Sequence, residues 1–99
     1  MPAYLISDEE ITDLATFEDY KRLVLPLIQR HGGRFLSRGA EVVMVEAGRD
    51  WTPGRMVIIE FPDMAALRTW YDDPDYAPVL AIRQASAKTT LVALDKGSA

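Results

Sequence analysis

The segment Arg55–Phe61, with the sequence RMVIIEF, constrains the fold more than any other part of the chain. It has the length and composition of a strand, and both of its alternating sets of side chains are apolar apart from Glu60. A strand that is apolar on both faces is covered on both faces. A chain of 99 residues forms one domain and cannot easily cover both faces of its own sheet. The segment therefore predicts a homodimer in which a second copy packs against one face.

Three further segments have the composition of strands. The first covers residues 3–12, the second runs with an interruption over residues 34–47, and the last covers residues 88–95. Gly39 lies at the interruption and marks a site for a bulge or bend. Residues 48–54 contain Gly, Asp and Pro, and they predict a hairpin loop before the next strand.

Three helices are predicted between these strands. The first carries an apolar stripe at helical spacing from Phe17 to His31, with Thr16 as its N-cap and a glycine pair after its last turn. Asp63 caps a second helix, which ends at an Asp-Asp-Pro sequence, and Asp75 caps a third.

The resulting order, βαββα(α)β, predicts the fold class. It is typical of an α+β, ferredoxin-like domain, in which a four-stranded antiparallel sheet carries helices on one face. We expect this single domain to span residues 1–99. Because a second copy is needed for the free face, we expect two sheets to form a barrel-like core.

The charge and the rare residue types exclude several classes of function. The chain has 15 acidic and 11 basic residues, and its net charge of −4 repels nucleic acid and anionic membrane surfaces. It has no cysteine and one histidine, which excludes thiol catalysis and His-rich or Cys-ligated metal sites, and no cofactor is predicted. The N-terminal sequence lacks signal-peptide features, and no apolar run approaches the ~18 residues of a membrane span. We therefore expect a cytoplasmic protein without nucleic-acid or membrane partners.

Four stretches of the sequence resemble a known family. They are residues 31–39 (HGGRFLSRG), residues 55–62 (RMVIIEFP), residues 70–76 (WYDDPDY) and residues 82–87 (IRQASA). Together they closely resemble the bacterial domain-of-unknown-function family thirteen-thirty (DUF1330). The resemblance implies the dimeric α/β-barrel superfamily, whose members include small monooxygenases, haem-degrading enzymes and muconolactone isomerases. It implies no reaction, because this family is named for having none assigned and a fold does not specify one.

Glu60 and His31 are the candidate catalytic residues. Glu60 interrupts an apolar strand, so its carboxylate needs a partner or its pKa rises. It is a general base or ligand anchor, one half of a structural ion pair with Arg38, Arg55 or Arg83, or a residue at a partly exposed strand end. His31 ends the apolar stripe of the first helix. An imidazole at a helix C-terminus interacts favourably with the helix dipole, and this structural role alone can explain a histidine there. Its other interpretations are a general base and a single haem ligand.

Five other residues are candidates for binding a ligand. Arg38 precedes the bend at the neighbouring glycine, and Arg83 lies on the inward stripe of the last helix; either guanidinium could clamp a carboxylate or phosphate. The alternative for both is an ordinary ion pair or an arginine stem lying on apolar surface. Trp70, Tyr71 and Tyr76 bracket an acidic turn that lies over the sheet, and they are either core residues or walls of a cleft.

The leading hypothesis is a homodimer that binds a small anionic or polar-aromatic metabolite between the sheet and the helices. If the protein turns over a substrate, cofactor-independent proton transfer or oxygenation fits these residues best, mainly by analogy with the superfamily that the resemblance implies. Two alternatives stay open: a non-catalytic interaction module, whose polar residues only satisfy one another, and a haem-binding protein. The residues alone specify neither the ligand nor whether a reaction takes place.

Overall fold

The computed structural model describes residues 1–96, and its elements follow one another in the predicted order. They are β1 (Ala3–Ile11), α1 (Leu14–Arg30), β2 (Arg34–Ala40), β3 (Arg55–Phe61), α2 (Met64–Asp72), α3 (Ala77–Ser86) and β4 (Ala87–Asp95). The predicted bounds of β3 are confirmed, and those of β1 and β4 each differ by one residue. The last three residues of the predicted domain, 97–99, lie outside the described residues.

The four strands form one antiparallel sheet in the order β2-β3-β1-β4. The central strands, β1 and β3, pair along seven residues, from Ala3 opposite Phe61 to Glu9 opposite Arg55. One face of the sheet is buried beneath the helices. This arrangement confirms the predicted ferredoxin-like fold.

The core lies between that face and the helices. The helix-facing rows of the two central strands are buried; their members are Ala3, Leu5, Ser7, Glu9, Val57, Ile59 and Phe61. Two of these seven, Ser7 and Glu9, are polar, so the core contains a polar spot at one end of β1. Phe17, Trp70 and Tyr76 are the largest side chains that close the core from the helix side.

The opposite face of the sheet, called the outer face below, is apolar and incompletely covered. Its apolar side chains come from three strands: Tyr4, Ile6, Met56, Ile58, Val92 and Leu94. None of the six is buried, and Val92 and Leu94 are 50% and 51% exposed. The single chain therefore leaves this face open, as the two-sided apolar pattern of β3 predicted.

The start of α1 differs from the prediction. Its N-cap is Asp13, whose carboxylate accepts hydrogen bonds from the backbone N–H of Thr16 at 3.2 Å and from the Thr16 hydroxyl at 2.7 Å. The predicted N-cap, Thr16, is therefore wrong, and it lies inside the first turn as a donor to the true cap. The predicted glycine ending is confirmed, because Gly32 has a φ of +78°. The predicted cap of α2 is also confirmed, since the Asp63 carboxylate accepts from the Ala66 N–H at 2.7 Å.

The start of α3 also differs from the prediction. Its N-cap is Tyr76, which makes no capping hydrogen bond through its side chain, so the predicted cap Asp75 is wrong. Pro78 lies in the first turn and has no N–H that requires a partner. The Asp75 carboxylate instead accepts a hydrogen bond from Arg30 of α1 at 2.8 Å.

The second predicted strand is shorter than expected. β2 ends at Ala40, and residues 41–54 form an exposed loop, so the prediction of a strand that resumes and reaches residue 47 is wrong. Ala40 pairs with Met56, and only one residue of β3, Arg55, lies beyond this pair, so a strand reaching residue 47 would have no partner. The predicted bulge at Gly39 is confirmed by a register shift between its two neighbours and by its φ of +78°.

Among residues 1–96, no helix has both the length and the apolar character needed to cross a membrane.

Candidate functional site

A cavity opens between α1 and the helix-facing side of the sheet. Its empty volume, counting the open mouth and the gaps between the lining atoms, is about 390 Å³. Its apolar walls are Leu5, Phe17, Val24, Ile28, Phe35, Val57, Ile59, Trp70 and Leu91. Its polar lining is Ser7, Glu9, Tyr20, Lys21, Arg38, Arg55 and Arg83. The cavity thus combines mostly apolar walls with a small number of polar groups.

Glu9 and Arg55 form an ion pair in the lining of this cavity. They lie opposite each other on β1 and β3, and Nη1 of Arg55 donates to Oε1 of Glu9 at 2.6 Å. The other carboxylate oxygen, Oε2, accepts from the Ser7 hydroxyl at 3.2 Å. Glu9 is 6% exposed, so its charge is buried but compensated.

Arg83 is buried without a comparable partner. The residue is 4% exposed, and no carboxylate lies within ion-pair distance of it among the described residues. Its Nη1 donates to the Tyr76 hydroxyl at 3.3 Å, and its guanidinium carbon lies 5.8 Å from the centre of the Tyr20 ring. These neutral contacts do not replace an anion, since a buried charge is stable only when it is paired and hydrogen-bonded.

Two buried N–H donors at the cavity have no acceptor within residues 1–96. They are Nε of Arg83 and Nε1 of Trp70. A native structure leaves few buried donors unsatisfied, because each one loses its hydrogen bond to water without replacement. Both side chains line the cavity, so an acceptor bound beside these donors would supply the missing hydrogen bonds.

Tyr20 and Tyr76 link α1 to the residue before α3. Their hydroxyl oxygens lie 2.9 Å apart, and the Tyr76 oxygen also accepts from Arg83. Burial raises the pKa of both phenols above 10, so both are neutral near pH 7. When the Tyr76 hydroxyl donates the hydrogen bond between the two phenols, the Tyr20 hydroxyl keeps its own hydrogen for an acceptor in the cavity, which Tyr20 lines.

The charge of the cavity is opposite to the charge of the chain. Four cationic side chains line it, Lys21, Arg38, Arg55 and Arg83, against the single carboxylate of Glu9. The whole chain has a net charge of −4. A concave site with local positive charge and low-dielectric walls concentrates anions.

The structure brings most of the predicted ligand-binding residues to this cavity. Trp70, Arg38 and Arg83 line it, and Tyr76 reaches it through its hydrogen bonds. Arg38 lies over the Phe35 ring, 4.3 Å from its centre, at the exposed end of the cavity. Tyr71 is 42% exposed and lies outside the cavity lining.

Glu60 lies away from the cavity, on the outer face. Its Oε1 accepts a hydrogen bond from Nε of Arg34 at 2.9 Å, across the β2–β3 pair. The expected alternative partners, Arg38, Arg55 and Arg83, are therefore wrong, because alternation along β3 directs Glu60 to the face opposite the cavity. The cavity's own carboxylate belongs to Glu9.

His31 lies at the C-terminal end of α1, also outside the cavity lining. Its Nε2 is 2.8 Å from Oδ2 of Asp73, and that carboxylate also binds Arg30 at 3.2 Å. No contact joins His31 to Glu60 among the described residues, so the catalytic roles predicted for these two residues stay predictions. The described residues contain no group of three side chains suited to hold a metal ion.

The functional hypotheses drawn from the sequence did not include three polar residues of the cavity, Glu9, Tyr20 and Arg55. Glu9 belongs to an acidic run that is untypical of a strand, although it shares the inward parity of Ala3, Leu5 and Ser7. Tyr20 is visible on the stripe of α1, but the stripe alone indicates only a core position. Arg55 is visible only as a possible partner for Glu60.

Comparison with known proteins gives one family match. The family model described as Domain of unknown function (DUF1330) matches residues 2–96. No curated protein matches the chain.

Solved structures give matches along nearly the whole chain. A protein of unknown function from Rhodopseudomonas palustris, RPA0582, has a TM-score of 0.79 and 21% identity, with 99% of this chain and 84% of that one covered. SnoaB, a cofactor-independent oxygenase from Streptomyces nogalater, has a TM-score of 0.65 and 14% identity over 99% and 95% of the two chains. A dimeric ferredoxin-like protein of unknown function from Jannaschia sp. CCS1 has a TM-score of 0.67 and 15% identity over 96% and 99%. At such identities the likeness shows the fold alone.

Proposed function

This chain belongs to the DUF1330 family, and we propose that it binds a small anionic metabolite in the cavity between its sheet and helices. The observation that carries the proposal is the buried guanidinium of Arg83, which has no carboxylate partner among residues 1–96 and an unsatisfied Nε. An anionic ligand supplies the missing charge and the missing acceptor together.

A carboxylate or an enolate is the chemical group that fits these donors best. Arg83 Nε and Trp70 Nε1 need acceptors, and the neutral Tyr20 hydroxyl can donate a third hydrogen bond. An anionic oxygen accepts several hydrogen bonds, whereas an ammonium group accepts none. The surrounding cationic excess opposes the binding of a cation.

The body of the ligand is apolar or aromatic. Phe17, Phe35 and Trp70 contribute rings to walls that are otherwise aliphatic. Burial of an apolar group against such walls contributes roughly 25 cal/mol for each Å² removed from water. The combination favours a polar-aromatic or apolar acid over a sugar or a free inorganic ion.

A second candidate function is cofactor-independent oxygenation of that ligand. It is favoured by the donors around Arg83 and Tyr20, which would stabilise the enolate or phenolate form of a ligand, and such electron-rich anions react with O2. Conversion of a CH2 group to a carbonyl consumes one O2 and releases one water, so it needs no external reductant. The neighbour SnoaB, described as a cofactor-independent oxygenase, supports this candidate through its fold only. Oxygen uptake with a bound enolisable acid, lost in Tyr20→Phe, is the corresponding measurement.

The working unit of the proposal is a homodimer. The outer face leaves six apolar side chains incompletely covered, and similar folds are described as dimeric. Sheet-to-sheet packing of two copies would cover this face and leave the cavity free, because the cavity opens on the helix side.

The proposal is tested with Arg83→Met and two matched probes, benzoate and the uncharged benzyl alcohol. We expect the wild-type protein to bind benzoate more tightly than benzyl alcohol, and Arg83→Met to weaken benzoate binding by about 10- to 100-fold, as expected for a charge-assisted hydrogen bond. The control Arg22→Met removes an exposed arginine that pairs with Asp19 on the surface of α1, and it should leave binding unchanged. Titration calorimetry measures the affinity of each of the three proteins for each probe.

The non-catalytic alternative gives a different result. If Arg83 only satisfies its protein neighbours, Arg83→Met leaves the affinity for benzoate at the wild-type level, or the wild-type protein does not distinguish the two probes. Either result contradicts the proposed function.

A further inference from the structure

A groove lies over β4, beside the cavity. On the central strand β1 the helix-facing residues Leu5 and Glu9 are buried, whereas on β4 Thr89 and Leu91 are only partly buried and Ala93 is exposed. The helices thus cover the middle of the sheet and leave the helix-facing side of this edge strand open. The groove has an empty volume of about 880 Å³, counting its open side.

The groove and the cavity share part of their lining. Leu5, Leu91 and Arg83 line both. Arg83 therefore lies where the two spaces meet. A ligand whose anionic group binds Arg83 has the cavity on one side of that group and the groove on the other.

The chemistry of the groove differs from that of the cavity. Its walls include the polar side chains of Tyr71, Gln84 and Thr89, whereas the cavity walls are mostly apolar. Ala87 and Ala93 also line the groove, and their small side chains leave space that a larger side chain would occupy. Beyond Ala93 and Tyr71 the groove continues into a depression along α2.

We propose that the groove over β4 is a second subsite, which holds the distal part of the anionic ligand whose charged group binds Arg83. This inference rests on the proposed function and adds the substrate class to it. The substrates are elongated monoanions with an apolar end for the cavity and a hydrogen-bonding extension for Tyr71, Gln84 and Thr89. Tyr71, exposed in the free protein, is then a specificity-determining residue for that extension.

The experiment compares a short and a long probe on the isotope-labelled full chain. Benzoate is the short probe, and 2-(4-hydroxyphenyl)-3-phenylpropanoate, whose carboxylate lies between a phenyl arm and a hydroxyphenyl arm, is the long one. The affinity of the protein for both probes should depend on Arg83. In an NMR titration, the long probe should shift the amide signals of Thr89 and Ala93, and benzoate should not.

A pair of variants separates the groove from the cavity. Ala93→Phe fills the groove and should weaken binding of the long probe by about fivefold or more, since a filled pocket excludes the group it once held. The same variant should keep the benzoate affinity within about twofold of the wild-type value, because the substituted residue lies away from the cavity. The control Ala81→Phe places the same ring on an exposed part of α3 outside the groove, and both affinities should keep their wild-type values.

Two results overturn the subsite, and they differ in what they say about the cavity. If both probes depend on Arg83 but the long probe shifts no groove amide and tolerates Ala93→Phe, the subsite is wrong and the proposed function stands. Failure of the long probe to bind, while benzoate binds, has the same meaning. If neither probe depends on Arg83, the proposed function fails and the subsite fails with it.

Discussion

Arg55 and Glu9 form a cross-strand ion pair that faces into the protein, with 2.6 Å between Nη1 and Oε1. The same cavity contains a second buried guanidinium, that of Arg83, for which the described residues supply no carboxylate. The charge of Arg55 is thus compensated within the chain, whereas under the proposed function the charge of Arg83 would be compensated by the bound ligand. The two residues should therefore respond in opposite ways to the same substitution.

Replacement of Arg55 should destabilise the fold. In Arg55→Met the Glu9 carboxylate stays buried and keeps only the Ser7 hydroxyl as a hydrogen-bond donor. Removal of one partner from a buried ion pair typically costs about 3–5 kcal/mol. Because the Arg55 side chain is 20% exposed, we expect a loss of about 2–4 kcal/mol in the free energy of unfolding, measured by urea denaturation. A loss below about 0.5 kcal/mol, the size of an ordinary surface substitution, would contradict this account.

Replacement of Arg83 should not destabilise the unliganded protein. In Arg83→Met an unpaired buried charge gives way to an apolar side chain, and the Tyr20–Tyr76 hydrogen bond remains. Exchange of buried charge for apolar side chains of similar size is often neutral or stabilising by about 1–4 kcal/mol, so we expect a gain of about 1 kcal/mol. The measurement is urea denaturation without ligand, beside Arg55→Met. A loss of more than about 1 kcal/mol would show that Arg83 serves the fold rather than a ligand.

Acid should weaken the protein through Asp73. The hydrogen bond from His31, followed by the Asp75 N–H and Arg30, holds the pKa of the Asp73 carboxyl below its ordinary value of 3.8. Because the folded state has the lower pKa, the stability due to this carboxylate is complete above the ordinary value and is lost as pH falls through the folded pKa. Asp73→Asn should therefore lower the urea midpoint at pH 7 and narrow the difference between the midpoints at pH 7 and pH 3.

The control for this pH dependence is Asp19→Asn, which removes an exposed carboxylate paired with Arg22 on α1. It should leave both midpoints close to those of the wild-type protein, since exposed ion pairs contribute little. An Asp73→Asn protein with the same pH 7 to pH 3 difference as wild type would show that the contacts of Asp73 do not stabilise the fold.

The sequence predicted the elements whose signals are local. The length and apolar composition of residues 55–61 indicated the bounds of β3, and the apolar stripe located α1. The end of β2 was not predictable in this way, because a strand needs a partner as well as composition. Residues 41–47 have strand composition, but β3 starts only at Arg55, so they have no strand of this chain to pair with among residues 1–96.

The candidate site was predictable only in part, for a similar reason. Arg83 and Trp70 were found because a polar residue on an inward stripe, or a large aromatic one, is visible in the sequence. The Glu9–Arg55 pair was missed because its members are 46 residues apart and meet only through the register of β1 and β3. The apolar surroundings of Glu60 in the sequence did not reveal which face of the sheet it occupies. Its parity places it on the outer face beside Arg34, outside the cavity.

The outer face leads to the last prediction, which concerns assembly. Ile6 and Ile58 are opposite each other on β1 and β3, at the centre of the incompletely covered apolar surface. A lysine introduced there would bury a charge if two copies pack through this face, whereas in a monomer it would point into water. We therefore expect the wild-type protein to have twice the 11.1 kDa chain mass in light scattering, and Ile58→Lys to have the mass of one chain. Leu14→Lys, which places the same charge at a 63% exposed leucine of α1, is the matched control and should stay dimeric. A wild-type mass of one chain, or a folded Ile58→Lys protein that remains dimeric, would show that the outer face is not the dimer interface.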